Sequence, residues 1–87
     1  MEVEYKPKAL EDKEYWKEKG TEKNRERISA LINDICAHPF TGIGKPEPLR
    51  YQLSGLWSRR ITEGHRIIYE VFSDKISIIS MKGHYHK

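Results

Sequence analysis

The chain has 87 residues, of which 37% are hydrophobic and 33% charged, and its net charge at pH 7 is +3. These values are typical of one small globular domain, residues 1–87, and exclude a disordered chain or a second domain. No apolar run reaches the roughly 18 residues of a membrane span, and the N-terminus lacks the apolar segment of a signal peptide. We therefore expect a cytoplasmic protein without a membrane partner. Cys36 is the only cysteine, which excludes an internal disulfide.

The charge is distributed unevenly along the chain. Residues 1–38 hold 8 Lys and Arg against 9 Asp and Glu, whereas residues 39–87 hold 8 against 4. The net charge thus changes from −1 in the first segment to +4 in the second. A phosphate-rich partner would meet the C-terminal half first, although a solvated basic face would explain the same charge.

The N-terminal part predicts a short strand followed by two helices. "MEVEY" alternates apolar and acidic residues, as a strand does. A proline near the start and a glycine at the end predict a helix over Pro7–Lys19 with a thin apolar stripe. Thr21 is a suitable N-cap for a second helix, and the short link between the two helices predicts a hairpin. Helical spacing gives the stripes as Ala9, Leu10, Tyr15 and Trp16 in the first helix and Ile28, Leu31, Ile32 and Ile35 in the second.

The C-terminal part predicts a loop and then an antiparallel sheet. "FTGIGKPEP" is rich in glycine and proline, and "LRYQL", "WSRRIT", "HRIIYEVF" and "KISIISMKGHY" follow as strands with short turns. The predicted fold is therefore α+β, with the sheet packed on the helices. Strand parity turns Ile67 and Tyr69 towards the helices and Arg66 and Arg60 towards the open face, and it leaves Arg59 at an edge.

Glu47 stands between two prolines in "KPEPLR". Each proline ring fixes its own φ and restricts the residue before it, so Glu47 is held on a stiff, extended piece of chain. This geometry suits a carboxylate that must keep a fixed angle to a reacting group. An ordinary loop carboxylate paired with Arg50 is the alternative reading.

The polar residues after position 44 include the groups needed to cut RNA without a metal. A base removes the proton of the 2′-OH, cations stabilise the phosphorane, and an acid protonates the leaving 5′-oxygen. As composition alone this set is also compatible with solvated strand residues. The "HYH" sequence at residues 84–86 could bind a metal, but too few further ligands stand near it, so we predict no metal and no cofactor. The set comprises Lys45, Glu47, Arg50, Arg59, Arg60, Arg66, His84, Tyr85 and His86.

The stretch "HPFTGIGKPEPLRYQLSGLWSRRITEGHRIIYEV", with the later "HY", resembles the YoeB/Txe toxins of bacterial toxin–antitoxin modules. These toxins belong to the RelE/ParE superfamily, whose fold is similar to that of microbial ribonucleases. The resemblance is near-continuous over residues 38–85 and looser before them. It implies a metal-independent endoribonuclease that cleaves mRNA in the ribosomal A site and leaves a 2′,3′-cyclic phosphate and a 5′-hydroxyl.

The resemblance also implies roles for individual residues. The glutamate of "KPEPL" is the general base, the arginine of "HR" stabilises the phosphate, and the histidine of "HY" is the general acid. In this sequence these positions are Glu47, Arg66 and His84. The supporting, substrate-binding positions are Lys45, Arg50, Arg59, Arg60 and Tyr85.

Partners follow from the same resemblance. We expect an antitoxin of the YefM type that covers the C-terminal site, and a toxin homodimer. Three departures stand out: Arg50 replaces the usual lysine, Tyr51 stands where some members carry histidine, and the chain continues past "HY" with His86 and Lys87. Two other functions remain open for the same fold, namely a gyrase inhibitor of the ParE type and an RNA- or ribosome-binding module without turnover.

Overall fold

One five-stranded sheet packs against two helices in the computed structural model, which describes residues 1–83. The strands lie in the order β1-β5-β4-β3-β2. β1 runs parallel to β5, and the other neighbours are antiparallel. The predicted α+β fold is confirmed. The elements are β1 (Glu2–Tyr5), α1 (Pro7–Lys19), α2 (Glu22–Ala37), β2 (Glu47–Pro48), a 3₁₀ turn (Tyr51–Leu53), β3 (Leu56–Thr62), β4 (His65–Val71) and β5 (Lys75–Ser80).

The helix ends follow the sequence signals. Pro7 occupies the first turn of α1, where its missing N–H costs nothing. Thr21 caps α2, because its hydroxyl accepts the Asn24 N–H at 3.0 Å while the Asn24 side-chain oxygen accepts the Thr21 N–H at 3.4 Å. This reciprocal pair satisfies two of the amide groups that every helix N-terminus leaves without partners.

The main core lies between the helices and one face of the sheet, which we call the helix face. The predicted stripe of α2 is confirmed at Ile28, Leu31 and Ile35, which are all buried. Leu10 of α1 was predicted in the stripe but is 55% exposed. Asp12, which was not predicted to be buried, lies on the inner side of α1 instead. The core cluster comprises Ala9, Trp16, Ile28, Leu31, Ile35, Ile61, Ile67, Tyr69, Ile76, Ile78 and Met81.

The region before β3 differs from the prediction. "LRYQL" was predicted as a strand, but Tyr51 has a φ of +58° and opens a 3₁₀ turn, which ends any extended pairing. The strand in this region is instead the two-residue β2, inside the segment predicted as a loop. Glu47 pairs with Ser58 and Pro48 with Trp57. β2 is an edge strand, which is where a sheet tolerates proline.

Candidate active site

Glu47, Arg60 and Arg66 project from one face of the sheet. Directly paired residues in neighbouring strands share a face. Glu47 pairs with Ser58 and Arg60 pairs with Arg66. Ser58 and Arg60 are two positions apart in β3 and therefore share a face too. This face points away from the helices, and we call it the open face; the faces predicted for Arg60 and Arg66 are confirmed.

The spacing of these side chains suits a phosphodiester. Glu47 on β2 is the diagonal neighbour of Arg60 on β3, at roughly 7–8 Å. Arg66 lies two strands and two residues from Glu47, about 12 Å at the backbone. Glu47 and Arg60 are exposed and Arg66 is half-buried. Long side chains at these distances can reach a common group between the strands.

The residues of the open face beside Glu47 are buried. Ser58 is fully buried there and pairs on its other side with the buried Ile68. Leu49, which follows β2, is buried as well. Among residues 1–83, the Ser58 hydroxyl is the one buried side-chain group without a hydrogen-bond partner. A polar group so placed is costly, and it lies directly beside the glutamate.

The segment that carries Glu47 is fixed at both ends. Before it, the Gly44 carbonyl accepts the Arg60 N–H at 2.8 Å. After it, the Leu49 N–H donates to the Leu56 carbonyl at 2.9 Å. Between these anchors the two prolines restrict the backbone. Lys45 has a φ of +54°, an uncommon conformation for a side-chain-bearing residue, and strain of this kind concentrates at functional sites.

Arg59 does not join the open face. It was predicted at an edge and grouped with the substrate-binding residues, but its side chain is 0% exposed and lies on the helix face. Its five N–H groups all donate to protein acceptors. These acceptors are Tyr69 Oη (3.2 Å), Asp34 Oδ2 (2.5 Å) and the carbonyls of Ile43 (3.1 Å), His38 (2.5 Å) and Thr41 (2.8 Å).

Arg59 therefore shapes the loop that leads to the glutamate. The Tyr69 hydroxyl extends the network by donating to the Pro39 carbonyl at 2.7 Å, and burial raises the pKa of this hydroxyl. Hydrogen bonds from Arg59 and then from the Ile43 N–H hold the pKa of Asp34 below its usual value. Gly42 has a φ of +120°, and a Cβ there would lie 1.9 Å from Asp34 Oδ2. Only glycine fits this close approach.

Other polar residues close to Glu47 in the sequence are exposed. Arg50 precedes the 3₁₀ turn, and Tyr51 within it is 73% exposed. Within residues 1–83 no ion pair joins Glu47 to Arg50, so the alternative reading of Glu47 as a paired loop carboxylate gains no support. Lys45 is exposed next to the stiff segment.

The described chain ends beside Arg66. The Arg66 N–H donates to the Gly83 carbonyl at 3.1 Å, and the Gly83 N–H donates to His65 Nδ1 at 2.9 Å. His84, Tyr85, His86 and Lys87 lie outside the described residues. The sequence analysis missed the contacts that hold this end, which involve Asp12, Trp16 and His65; an aspartate and a tryptophan four residues apart on one helix face were the available signal.

Residues 1–83 contain neither a metal-binding cluster nor a membrane-spanning helix. The part of the chain described here holds no group of three His, Cys, Asp or Glu side chains arranged to bind a metal. Neither helix in residues 1–83 has the length and hydrophobicity that crossing a membrane requires.

Comparisons with known proteins agree with this architecture. Residues 5–85 match the family model described as YoeB-like toxin of bacterial type II toxin-antitoxin system. Toxin YoeB of Escherichia coli K12 is 44% identical over 86 residues, which cover 98% of this chain and all of the relative.

Solved structures show the same fold. The YoeB/ParE toxin from Agrobacterium tumefaciens superposes with a TM-score of 0.92 at 36% identity, covering 98% of this chain and 100% of the other. The YoeB dimer from Staphylococcus aureus gives 0.88 at 37% identity, and the chain in the YoeB–YefM complex from that organism gives 0.87 at 37%; each covers 98% of both chains.

The family match and the shared fold thus define a small toxin of a bacterial type II toxin–antitoxin system. More narrowly, the chain belongs to the family of YoeB-like toxins.

Proposed function

We propose that the protein is a ribosome-dependent endoribonuclease that cleaves mRNA in the A site without a metal, and so stops translation. The observation that carries the proposal is the register of the sheet. It turns Glu47 to the same face as Arg60 and Arg66, with a backbone separation of about 12 Å between Glu47 and Arg66. One carboxylate and two cations around such a gap fit an RNA phosphodiester and its neighbouring 2′-OH.

In the proposed reaction Glu47 takes the proton of the 2′-OH. The resulting oxygen attacks the adjacent phosphorus, and the negative charge that grows on the phosphorane is stabilised by Arg66. The bond from phosphorus to the 5′-oxygen then breaks, and His84 gives that oxygen a proton. The products are a 2′,3′-cyclic phosphate and a 5′-hydroxyl. Each proton-transfer group contributes roughly 10²–10⁴-fold to the rate.

The remaining polar residues bind the RNA in this proposal. Arg60 is the diagonal neighbour of Glu47 and contacts the phosphate backbone together with Lys45 and Arg50, which are exposed and lie within three residues of Glu47 in the sequence. Tyr85 stacks on a base or orients a phosphate. The excess of positive charge after position 38 favours approach to ribosomal RNA.

Partners are proposed on the same grounds. The relative from Staphylococcus aureus has been solved as a dimer and in complex with YefM. By similarity we propose that this chain forms a homodimer and that a YefM-type antitoxin covers its C-terminal site. We also propose that the protein acts in the cytoplasm, where its substrate is found.

The test is end-mapping of one defined mRNA in a reconstituted translation system, with ribosomes present and absent. Wild type is compared with Glu47→Ala, His84→Ala and the matched control Glu63→Ala, which removes an exposed glutamate from the turn between β3 and β4. We expect cuts within the A-site codon that need ribosomes, fade in the first two variants and persist in the control.

Other outcomes would redirect the assignment. Cuts on free RNA alone would retain the nuclease and reject the ribosomal substrate. Salt-sensitive ribosome binding without any cleavage would indicate an RNA- or ribosome-binding module, and inhibition of gyrase would indicate the ParE-type function.

A further inference from the structure

Residues 81–83 follow β5 and are held by side chains that do not belong to the open face. We propose that Asp12, Trp16 and His65 are positioning residues: together they fix the point and direction at which the chain leaves Gly83, and thereby set where the general acid stands. The proposal rests on the function proposed above, in which the residue after Gly83 supplies that acid.

The first hold comes from α1. Asp12 Oδ2 accepts the Met81 N–H at 2.8 Å, and Trp16 Nε1 donates to the Met81 carbonyl at 2.7 Å. Both polar groups of the Met81 backbone are thus bound by side chains of one helix. The Met81 side chain is itself buried in the core.

The burial of Asp12 marks it as specialised. The residue is 2% exposed, and a buried carboxylate is costly unless it is paired and hydrogen-bonded. Lys8, one turn earlier, pairs with its other oxygen. If the position served packing alone, an apolar side chain would fill it without the cost of burying a charge. The carboxylate instead provides an acceptor for the first backbone N–H after the last strand.

The second hold comes from β4. His65 Nδ1 accepts the Gly83 N–H at 2.9 Å, and the Arg66 N–H donates to the Gly83 carbonyl at 3.1 Å. An accepting Nδ1 places the ring proton on Nε2. Gly83 has a φ of +79°, a conformation that glycine adopts without strain.

The two holds touch each other. The rings of Trp16 and His65 meet edge to face with their centroids 5.1 Å apart. Residues 81–83 are therefore held between α1 and β4 by a continuous set of hydrogen bonds and ring contacts. Arg66, the proposed phosphate-binding residue, supplies one of the contacts through its backbone, so the point at which the chain leaves Gly83 and the phosphate site share a common support.

This arrangement has a catalytic consequence. A misplacement of about 1 Å in a catalytic group can lower the rate by about 10²-fold. Loss of one hold should therefore slow the chemical step while leaving ribosome binding, which depends on exposed cations, unchanged.

The test is a double-mutant cycle in single-turnover cleavage on programmed ribosomes. Trp16→Phe removes the indole N–H and keeps a ring; His65→Phe removes the acceptor and keeps a ring. Each is made in the wild-type background and in His84→Ala. We expect a fall of about tenfold in the saturating rate with unchanged half-saturation in wild type, and no further fall in His84→Ala. Equal falls in both backgrounds, or none in either, would overturn the proposal.

Two controls separate positioning from a loss of folding. His65→Asn offers a carboxamide oxygen close to the position of Nδ1 and should restore the rate, and Leu10→Ala changes an exposed residue of the same helix and should have no effect. Thermal unfolding of each variant is measured in parallel. A His65→Asn variant that is folded and as slow as His65→Phe would contradict the proposed role of the acceptor.

Amide hydrogen exchange tests the contacts of Gly83 without any cleavage. It therefore distinguishes a failure of this proposal from a failure of the proposed ribonuclease function. We expect the Gly83 N–H to be protected in wild type, to exchange at least tenfold faster in His65→Phe, and to be protected again in His65→Asn. Free exchange of Gly83 in the wild-type protein would overturn the proposal.

Discussion

Arg59 and Arg60 are neighbours in β3, yet they point to opposite faces of the sheet. Arg59 lies on the helix face, fully buried, and its five N–H groups bind acceptors in the protein. Arg60 lies on the open face and is exposed. The same residue type thus serves the fold at one position and is available to a ligand at the next.

The difference shows how the site is supported. Four of the five Arg59 hydrogen bonds reach groups in α2 and in the loop after it, and that loop leads directly into the segment of Glu47. The buried arginine therefore acts on the open face only indirectly, by shaping its approach. Changes on the two faces should separate stability from activity.

The largest expected effect is on stability, in Arg59→Met. The change leaves Asp34 without its cationic partner and several loop carbonyls without donors. We expect the free energy of unfolding to fall by about 3–5 kcal/mol, measured by urea denaturation. Arg60→Met is the matched control and should change it by no more than about 0.5 kcal/mol. Similar losses in both variants would abolish the distinction between the two faces.

The second effect is on activity, in the same Arg60→Met variant. The side chain is proposed to contact the phosphate backbone, and a hydrogen bond to a charged group contributes about 1.5–3 kcal/mol. We expect cleavage on ribosomes to slow by about ten- to a hundredfold without any change in the melting temperature. Wild-type cleavage by this variant would remove Arg60 from the substrate-binding set.

Much of this organisation could be predicted from the sequence because it depends on local patterns. Pro7 and the Gly20-Thr21 pair mark the helix ends, and the period of two in β4 assigns Ile67 and Arg66 to opposite faces. These signals operate within a few residues and need no knowledge of the tertiary structure.

The errors concern residues whose environment is set by distant parts of the chain. Strand parity left Arg59 at an edge, but its acceptors lie up to 25 residues away in the sequence, which no local pattern reveals. Asp12 was not singled out in the sequence, because its partner is the distant backbone of Met81. In "LRYQL" the alternation of Leu49 and Leu53 favoured a strand, and the positive φ of Tyr51 between them overrode it.

A smaller effect on stability is expected at the N-terminus of α2. Thr21→Ala removes the hydroxyl that caps α2 and should lower the free energy of unfolding by about 1 kcal/mol. The site is remote from this cap, so cleavage measured well below the melting temperature should stay at the wild-type rate. Slower cleavage by the folded variant would show that the helix layer and the open face are coupled more tightly than the contacts suggest.

The smallest effect concerns the far edge of the open face, where polar groups serve the fold after all. The Ser77 hydroxyl donates to Glu4 at 2.6 Å, and Lys6 lies 3.3 Å from the same oxygen. The Ser77 hydrogen bond, followed by Lys6, lowers the pKa of Glu4. Stability from a lowered carboxyl pKa is present above the unfolded-state value and is lost as the pH falls through the folded-state value.

We therefore expect the wild-type free energy of unfolding to decline below about pH 4, with Asp34 contributing in the same direction. Ser77→Ala should make this acid decline shallower, while the difference from wild type at pH 7 stays small. The measurement is urea denaturation between pH 3 and pH 7. An unchanged acid decline would mean that the Ser77 hydroxyl does not hold Glu4 in its ionised form. In that case Ser77 and Glu4 would contribute little to stability. The polar groups that stabilise the fold would then lie on the helix face, and those of the open face would serve function.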